Sequence, residues 1–194
     1  MNSQDPAAFA AQLIAQRHTV LPKRLIEPGP DETQIKQLFL AAATAPDHDQ
    51  LMPWRFLIIP QNKRAALGDL FAKALLERDD SATPEQVLAA RDKAFRSPFL
   101  MLLSVDEGQP PFEIDVQERV LSAGCAVQNI LLLATAMGYG SSLTSGKALK
   151  STCLREGLGL RDTEHAICFL SIGTIGSQRP LRLRPSVSSF FKIW

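Results

Sequence analysis

The stretch AAATAPDHDQLMPWRF, Ala41 to Phe56, decides how the rest of the chain reads. An alanine-rich helix runs into Ala45-Pro46-Asp47-His48, and Pro53-Trp54 follows directly before an apolar run. A proline disfavours helical geometry at the residue before it, so the helix has to stop by Ala45. That leaves His48 in a short connection. Pro53-Trp54 then fixes the entry into RFLIIP, Arg55 to Pro60, which reads as a short buried strand closed by its proline. The small side chains at 41 to 43 and 45 would let a second backbone come close.

Upstream, a first helix is expected from Asp5 to Arg17, with Pro6 in a favourable first-turn position. HTVLPKRLIEPGP is a loop punctuated by Pro22, Pro28, Gly29 and Pro30. Asp31 caps the helix that leads to the opening stretch, with Gln34 as the returning half of a capping box. Ile35, Leu38, Phe39 and Ala42 mark its buried face. Downstream, Asn62 caps a helix to about Arg78, and Thr83 with Pro84 and Glu85 opens another to about Arg96. PFLMLLSVD is the second strand, followed by a loop holding Gly108, Pro110 and Pro111. A long apolar helix stops at Gly138. YGSSLTS is the third strand, Ala148 to Glu156 a helix and HAICFLSIGT the last strand. Helices outweigh strands, and the strands lie far apart, so the class is α+β with helices covering a small sheet.

The 194 residues fit one compact domain. Twenty-one Lys+Arg balance twenty Asp+Glu, for a net charge of +1, which argues against a nucleic-acid footprint. The N-terminus lacks the basic and apolar regions of a secretory signal. Cys125, Cys153 and Cys168 are odd in number and lack metal-ligand spacing, and read as small buried residues of a cytoplasmic protein. From Val120 to Gly138 there is no charge across nearly the length of a membrane span. Ser122, Gln128, Asn129 and Thr135 interrupt it, and no second segment resembles it, so a buried helix or a subunit interface is expected rather than a membrane helix. The apolar end FFKIW needs a cover, from this domain or a partner subunit; the partner is favoured because the long apolar helix wants one too.

Phosphate-loop, dinucleotide and nucleophile-elbow patterns are all missing. Of His18, His48 and His165, His48 is flanked by acids on both sides, Asp47 and Asp49, and adjacent loop residues seldom converge on one metal. No metal is expected. Arg17, His18 and Thr19, after the first helix, are donors suited to a phosphate or a polar ring edge; the competing reading makes Arg17 a solvated helix-end cation. Scarce acid–base machinery fits an enzyme whose cofactor performs the hard chemistry.

Five segments together resemble the nitroreductase family: QRHTVLPKRLIEPGPDETQI, APDHDQLMPWRF, SAGCAVQNILLLATAMGYG, GSSLTSG and FLSIGT. Their order and spacing cover nearly the whole chain, and the short, single-domain bacterial NAD(P)H nitroreductases are the nearest subgroup. The resemblance implies a central, mainly antiparallel sheet flanked by helices, a long buried central helix, and an intertwined homodimer with two FMN sites in its interface. One domain then spans 1–194, its tail 177–194 packing on the partner subunit. Carried over by position, Arg17, His18 and Thr19 contact FMN from one chain, and Thr44 and His48 reach it from the other. Leu143, Thr144 and Ser145 line the flavin, and Leu133, Ala134, Thr135, Ala136, Met137 and Gly138 match a segment implicated in NAD(P)H binding. No side chain is assigned as catalytic, because the flavin carries the reaction.

Four departures bear on that site. His18 stands where an arginine is usual, Met52 at a glutamine, and Leu143 and Thr144 at a tryptophan and an arginine. Losing two charged donors removes roughly 1.5–3 kcal/mol of FMN affinity for each hydrogen bond; Arg182 or Arg184 of the tail are the candidates to compensate. The expected function is FMN-dependent transfer of electrons from NAD(P)H to a small acceptor such as a nitroaromatic or a quinone, in a ping-pong cycle. The alternatives are a flavin-binding protein without reductase activity and a dimeric interaction module without cofactor.

Overall fold

The computed structural model describes residues 5–109, 114–177 and 183–194. Among them the chain order is α1 (Pro6–Gln16), β1 (Leu25–Ile26), α2 (Glu32–Ala42), β2 (Trp54–Ile58), α3 (Arg64–Leu76), α4 (Pro84–Arg91), β3 (Phe99–Asp106), α5 (Val116–Ala136), β4 (Gly140–Thr144), α6 (Thr152–Gly157) and β5 (Glu164–Ile175). Pro110 and Pro111, Arg179 and Arg182 lie outside the described residues.

β5 organises the sheet. It pairs antiparallel with β3, with β4 and with the two residues of β1, and β2 pairs antiparallel with β3. All the strand ladders are antiparallel, as the resemblance implied. β3 is buried on both faces from Phe99 to Val105, so its apolar run needs cover above and below. One cover consists of α2 and α5, whose Leu38, Ala126, Ile130 and Ala134 meet Met101, Leu103, Leu170 and Ile172. On the opposite face Leu67 of α3 and Leu154 of α6 meet Leu100, Leu102 and Phe169.

Helix ends follow local chemistry. Asp31 and Thr83 form the reciprocal capping boxes with Gln34 and Gln86. Asn62 does not cap α3; a 3₁₀ turn, Gln61–Lys63, intervenes, because Pro60 forces extended backbone before it. α4 ends at Arg91 and continues only as a 3₁₀ turn, Asp92–Phe95. The helix expected from Ala148 to Glu156 is split by Ser151, whose extended backbone closes one turn while its hydroxyl caps α6. β1 lies inside the expected loop 18–30, where two residues between prolines carry too little pattern to be read as a strand. Gly138 ends α5 at φ +86°, a left-handed geometry that glycine adopts without steric cost.

α5 is only half buried in one chain. Ala123, Ala126, Val127, Ile130 and Ala134 face the sheet, whereas Val120 and Leu121 are open. α1 has no buried residue and exposes Phe9 and Ile14.

Two buried charges tie loops to this frame. Arg64, 1% exposed, donates to the carbonyls of Ile59 (2.8 Å), Ala94 (2.8 Å) and Pro98 (3.2 Å), fastening the ends of β2 and α4 to the start of β3. Burial pushes its pKa down to about 10, still charged at neutral pH. Glu164 is wholly buried, and burial opposes its ionisation. The Arg161 amide at 2.8 Å, the Arg161 guanidinium and Arg55 at 2.8 Å outweigh that and hold it below the usual carboxylate range. Arg64→Ala should cost about 3 kcal/mol, since three carbonyls lose a charged donor at once. A denaturant midpoint equal to that of the parent protein would show that Arg64 is dispensable.

Candidate active site

The segment Ala41 to His48 is held in place by polar residues of one α5 stripe. Asn129 Nδ2 donates to the Ala41 carbonyl (3.1 Å) and to Thr44 Oγ1 (3.2 Å). Thr44 Oγ1 donates in turn to the Ala41 carbonyl (2.8 Å). Ser122 Oγ donates to the Pro46 carbonyl (2.9 Å), and Glu118 Oε1 meets His48 Nδ1 at 2.7 Å. Residues 118, 122 and 129 lie on one side of a 3.6-residue helix, so three turns of α5 pin the end of α2 and the connection that follows it. Beyond His48 the backbone is left-handed at three non-glycine residues, Asp49 (φ 52°), Gln50 (φ 55°) and Met52 (φ 43°). Such conformations are costly for side-chain-bearing residues and concentrate at functional sites. The Met52 amide donates to Asp47 Oδ2 at 2.7 Å, which closes the loop before Pro53.

The His48 imidazole lies above its ordinary 6.5. Its hydrogen bond to Glu118 is the largest cause and the Glu118 charge follows; desolvation opposes them, and Asp49 and Asp47 add smaller contributions.

On the opposite sheet face a groove of about 850 Å³ opens beyond the end of β4. Its floor is apolar, with Leu100, Leu149 and Phe169, and carries the hydroxyl of Ser171. Thr144, Ser145 and Gly146 form one lip. Lys23 and Lys147 stand on the sheet side, and Arg78, Lys93 and Arg96 on the α3–α4 side. Ser142, opposite Ser171 in the ladder and on the same sheet face, is 2% exposed, and its Oγ has no partner among the described residues.

The expected site residues do not come together within one chain. Thr144 and Ser145 line the groove. Leu143, one residue earlier, projects from the other face of β4. Arg17, His18 and Thr19 run beside the start of β4, where Thr19 bridges Ser141 in parallel and Val20 N donates to the Ser141 carbonyl. Parallel running then carries Leu21, Pro22 and Lys23 into the groove instead. His18 Nδ1 donates to the Gln16 carbonyl (2.9 Å), and Arg184 Nη2 donates to the Arg17 carbonyl (2.7 Å), so the tail returns to this segment. Thr44 and His48 stand on the α5 side of the sheet. Leu133 to Gly138 end α5, with Ala134 fully buried and Leu133 and Met137 packed on the core. The cations Lys23, Arg78, Lys93, Arg96 and Lys147 escaped the sequence reading, because they sit in four separate connections that only the closed fold brings together.

The Nitroreductase family's sequence profile matches residues 14–174, and the chain belongs to that family. It is 32% identical over 152 residues to the "Putative NAD(P)H nitroreductase" of Haemophilus influenzae, covering 78% of this chain and 82% of that one. Its fold superposes on a nitroreductase-like family protein from Bacillus cereus with a TM-score of 0.84 at 21% identity, over 100% of this chain and 98% of the other. A nitroreductase with bound FMN from Bacteroides fragilis gives 0.69 at 18% identity, over 94% and 97%. The chain is therefore an oxidoreductase of the nitroreductase fold.

The Glu118–His48 pair contributes stability in full below pH 6.5 and loses it as pH rises through the raised folded value. A proton NMR titration should place the His48 midpoint above 6.5, and Glu118→Gln should bring it back toward that value. Identical midpoints in the two proteins would mean that the contact is not formed in solution.

Proposed function

We propose that the chain is an FMN-dependent NAD(P)H oxidoreductase, acting in the cytoplasm as a homodimer with a flavin site at each end of its interface. The observation that carries this is a groove with an apolar floor and a cationic rim beside Thr144 and Ser145, in a chain of the nitroreductase family.

The groove suits the cofactor's shape and charge. Leu100, Leu149 and Phe169 offer an apolar bed for a planar ring, Thr144, Ser145 and Ser171 offer hydroxyls, and Lys23 and Lys147 offer charge for a phosphate. Ser142 Oγ, beside Ser171 on the same sheet face, is buried without a partner among the described residues. When bound, FMN supplies hydride chemistry, taking electrons from NAD(P)H and passing them to a second substrate. The protein's share is to bind and orient. Arg17, His18 and Thr19, with Arg184 against the Arg17 carbonyl, run beside the start of β4, and their proposed contact with FMN is made from the segment that carries Lys23 into the groove. Leu143 and Leu133 to Gly138 lie on the α5 side of their own subunit, so on this reading they would meet the NAD(P)H bound at the partner's groove, as Thr44 and His48 would meet its flavin. Nitroaromatics and quinones are proposed as acceptors in a ping-pong cycle, since an open slot over a flat ring discriminates weakly.

Several apolar side chains support the dimer. Phe9, Ile14, Val120 and Leu121 are open in one chain, as are Phe190, Phe191, Ile193 and Trp194 of the tail. That set exceeds the scattered apolar exposure of ordinary surfaces. A second subunit covering α1 and α5 would also bring its own Thr44 and His48 toward the first subunit's flavin. The tail, 177–194, is proposed to lie on the partner.

Purified protein should be yellow, with a flavin spectrum that bleaches on adding NAD(P)H; yellow protein that does not bleach would leave a flavin-binding protein without reductase activity. His48→Ala should release FMN at least tenfold more readily while remaining folded. Unchanged retention would remove His48 from the site. Deleting residues 190–194 should weaken the dimer in sedimentation, and an unaltered profile would place the tail elsewhere.

A further inference from the structure

Among the described residues, five cations line the groove against one carboxylate, Asp79, in a chain whose net charge is only +1. They stand on two walls. Lys23 and Lys147 flank the Thr144–Ser145 lip, the end that the proposed flavin phosphate would use. Arg78, Lys93 and Arg96 stand across the groove, at the end of α3 and in the turn after α4. No carboxylate lies within ion-pair distance of these three among the described residues, whereas the neighbouring Arg91 is paired with Asp69 at 3.0 Å. Three cations without a carboxylate partner among the described residues, along one wall of a groove with an apolar floor, offer a place for a second anionic group, separate from the first.

We propose, on the reading that FMN occupies this groove, that the α3–α4 wall takes the 2′-phosphate of NADPH and makes the protein selective for NADPH over NADH. NADH and NADPH share the pyrophosphate, so only the group on the adenosine ribose can separate them. A site for NADH presents a carboxylate to the free 2′-hydroxyl, whereas an NADPH site presents arginine to a dianion. The groove's carboxylate, Asp79, is already engaged, since its Oδ1 accepts from Ser81 Oγ at 2.7 Å and from the Ser81 amide at 3.2 Å. Arg78 and Arg96 supply planar forks that match phosphate oxygens, and Lys93 adds a point charge. The volume of about 850 Å³ lies in the upper part of the range for ligand sites, room for a nucleotide to extend past a bound ring.

Adenosine 2′,5′-bisphosphate, which carries the distinguishing phosphate without the nicotinamide, is the direct probe. In calorimetry it should bind the purified protein at least tenfold tighter than adenosine 5′-monophosphate, and the advantage should shrink as salt is raised. The triple variant R78A/K93A/R96A should abolish the advantage, and the single surface change Lys93→Glu should reduce it severalfold should the triple variant fail to fold. With flavin bound, kcat/KM should favour NADPH by tenfold or more, and the ratio should fall toward one in the variants. Equal binding of the two adenosine phosphates, or bleaching by NADPH and NADH at equal rates, would overturn the proposal while leaving the flavin reading intact. Protein that stays colourless with added FMN yet prefers the bisphosphate would overturn the flavin reading and leave the phosphate site standing.

Discussion

A strand buried on both faces is the constraint from which this architecture follows. β3 carries no polar alternation from Phe99 to Leu103, and its single serine in the ladder, Ser104, turns to the buried Glu164 at 3.3 Å. Such a strand cannot sit at a solvated face, so the chain has to supply a helical layer on each side. It also cannot sit at an edge. β2 covers one side and β5 the other, and β5 then carries β4 and β1 on its remaining length. The two layers share one sheet but differ in use. The α2–α5 layer is a packed core, and the α3–α4 layer leaves the groove open beyond β4.

α5 does two jobs at different helical angles. Its alanine- and isoleucine-bearing stripe fills the core, while Glu118, Ser122 and Asn129 fasten the segment between α2 and β2. Pro46 removes a backbone donor from that segment and bars the helix from continuing, so its carbonyls need outside donors. Ser122 and Asn129 provide them. The same polar residues that lower the case for a membrane span are thus explained by what they hold. A left-handed backbone at 49, 50 and 52 is tolerable only because both ends of the loop are tied, by Glu118 at His48 and by Asp47 at the Met52 amide.

Much of the frame was legible in the chain because the signals are local. Asp31 with Gln34 and Thr83 with Gln86 announce helix starts through bonds spanning three residues, and Gly138 marks the end of α5 by its own backbone freedom. β1 was not legible, because two residues cannot show alternation; pairing with Thr174 and Ile175 makes Leu25 and Ile26 a strand. The half-exposure of α5 was hidden for the opposite reason, since apolar composition is alike for a face turned to a core and a face awaiting a partner. Within the candidate site, Thr144 and Ser145 were reached through the family likeness. Lys23, Arg78, Lys93, Arg96 and Lys147 come from four separate segments, and only the closed fold makes them neighbours.

The geometry of one sheet also bears on why a second chain would be needed. Thr144, Ser145 and the cationic rim occupy the α3–α4 face, whereas Thr44 and His48 are bonded to α5 on the other face, with β3 and β5 between them. Side chains cannot pass through a sheet packed on both sides. Within one subunit these two groups therefore cannot share a ligand. On the proposed reading they meet only when the α5 face of one subunit is laid beside the groove of another, and the apolar surface of α1, α5 and the tail is what would drive that contact. The strained loop then acquires a purpose: a corner held by Glu118 and Asp47 presents His48 outward, to a site that its own chain does not contain.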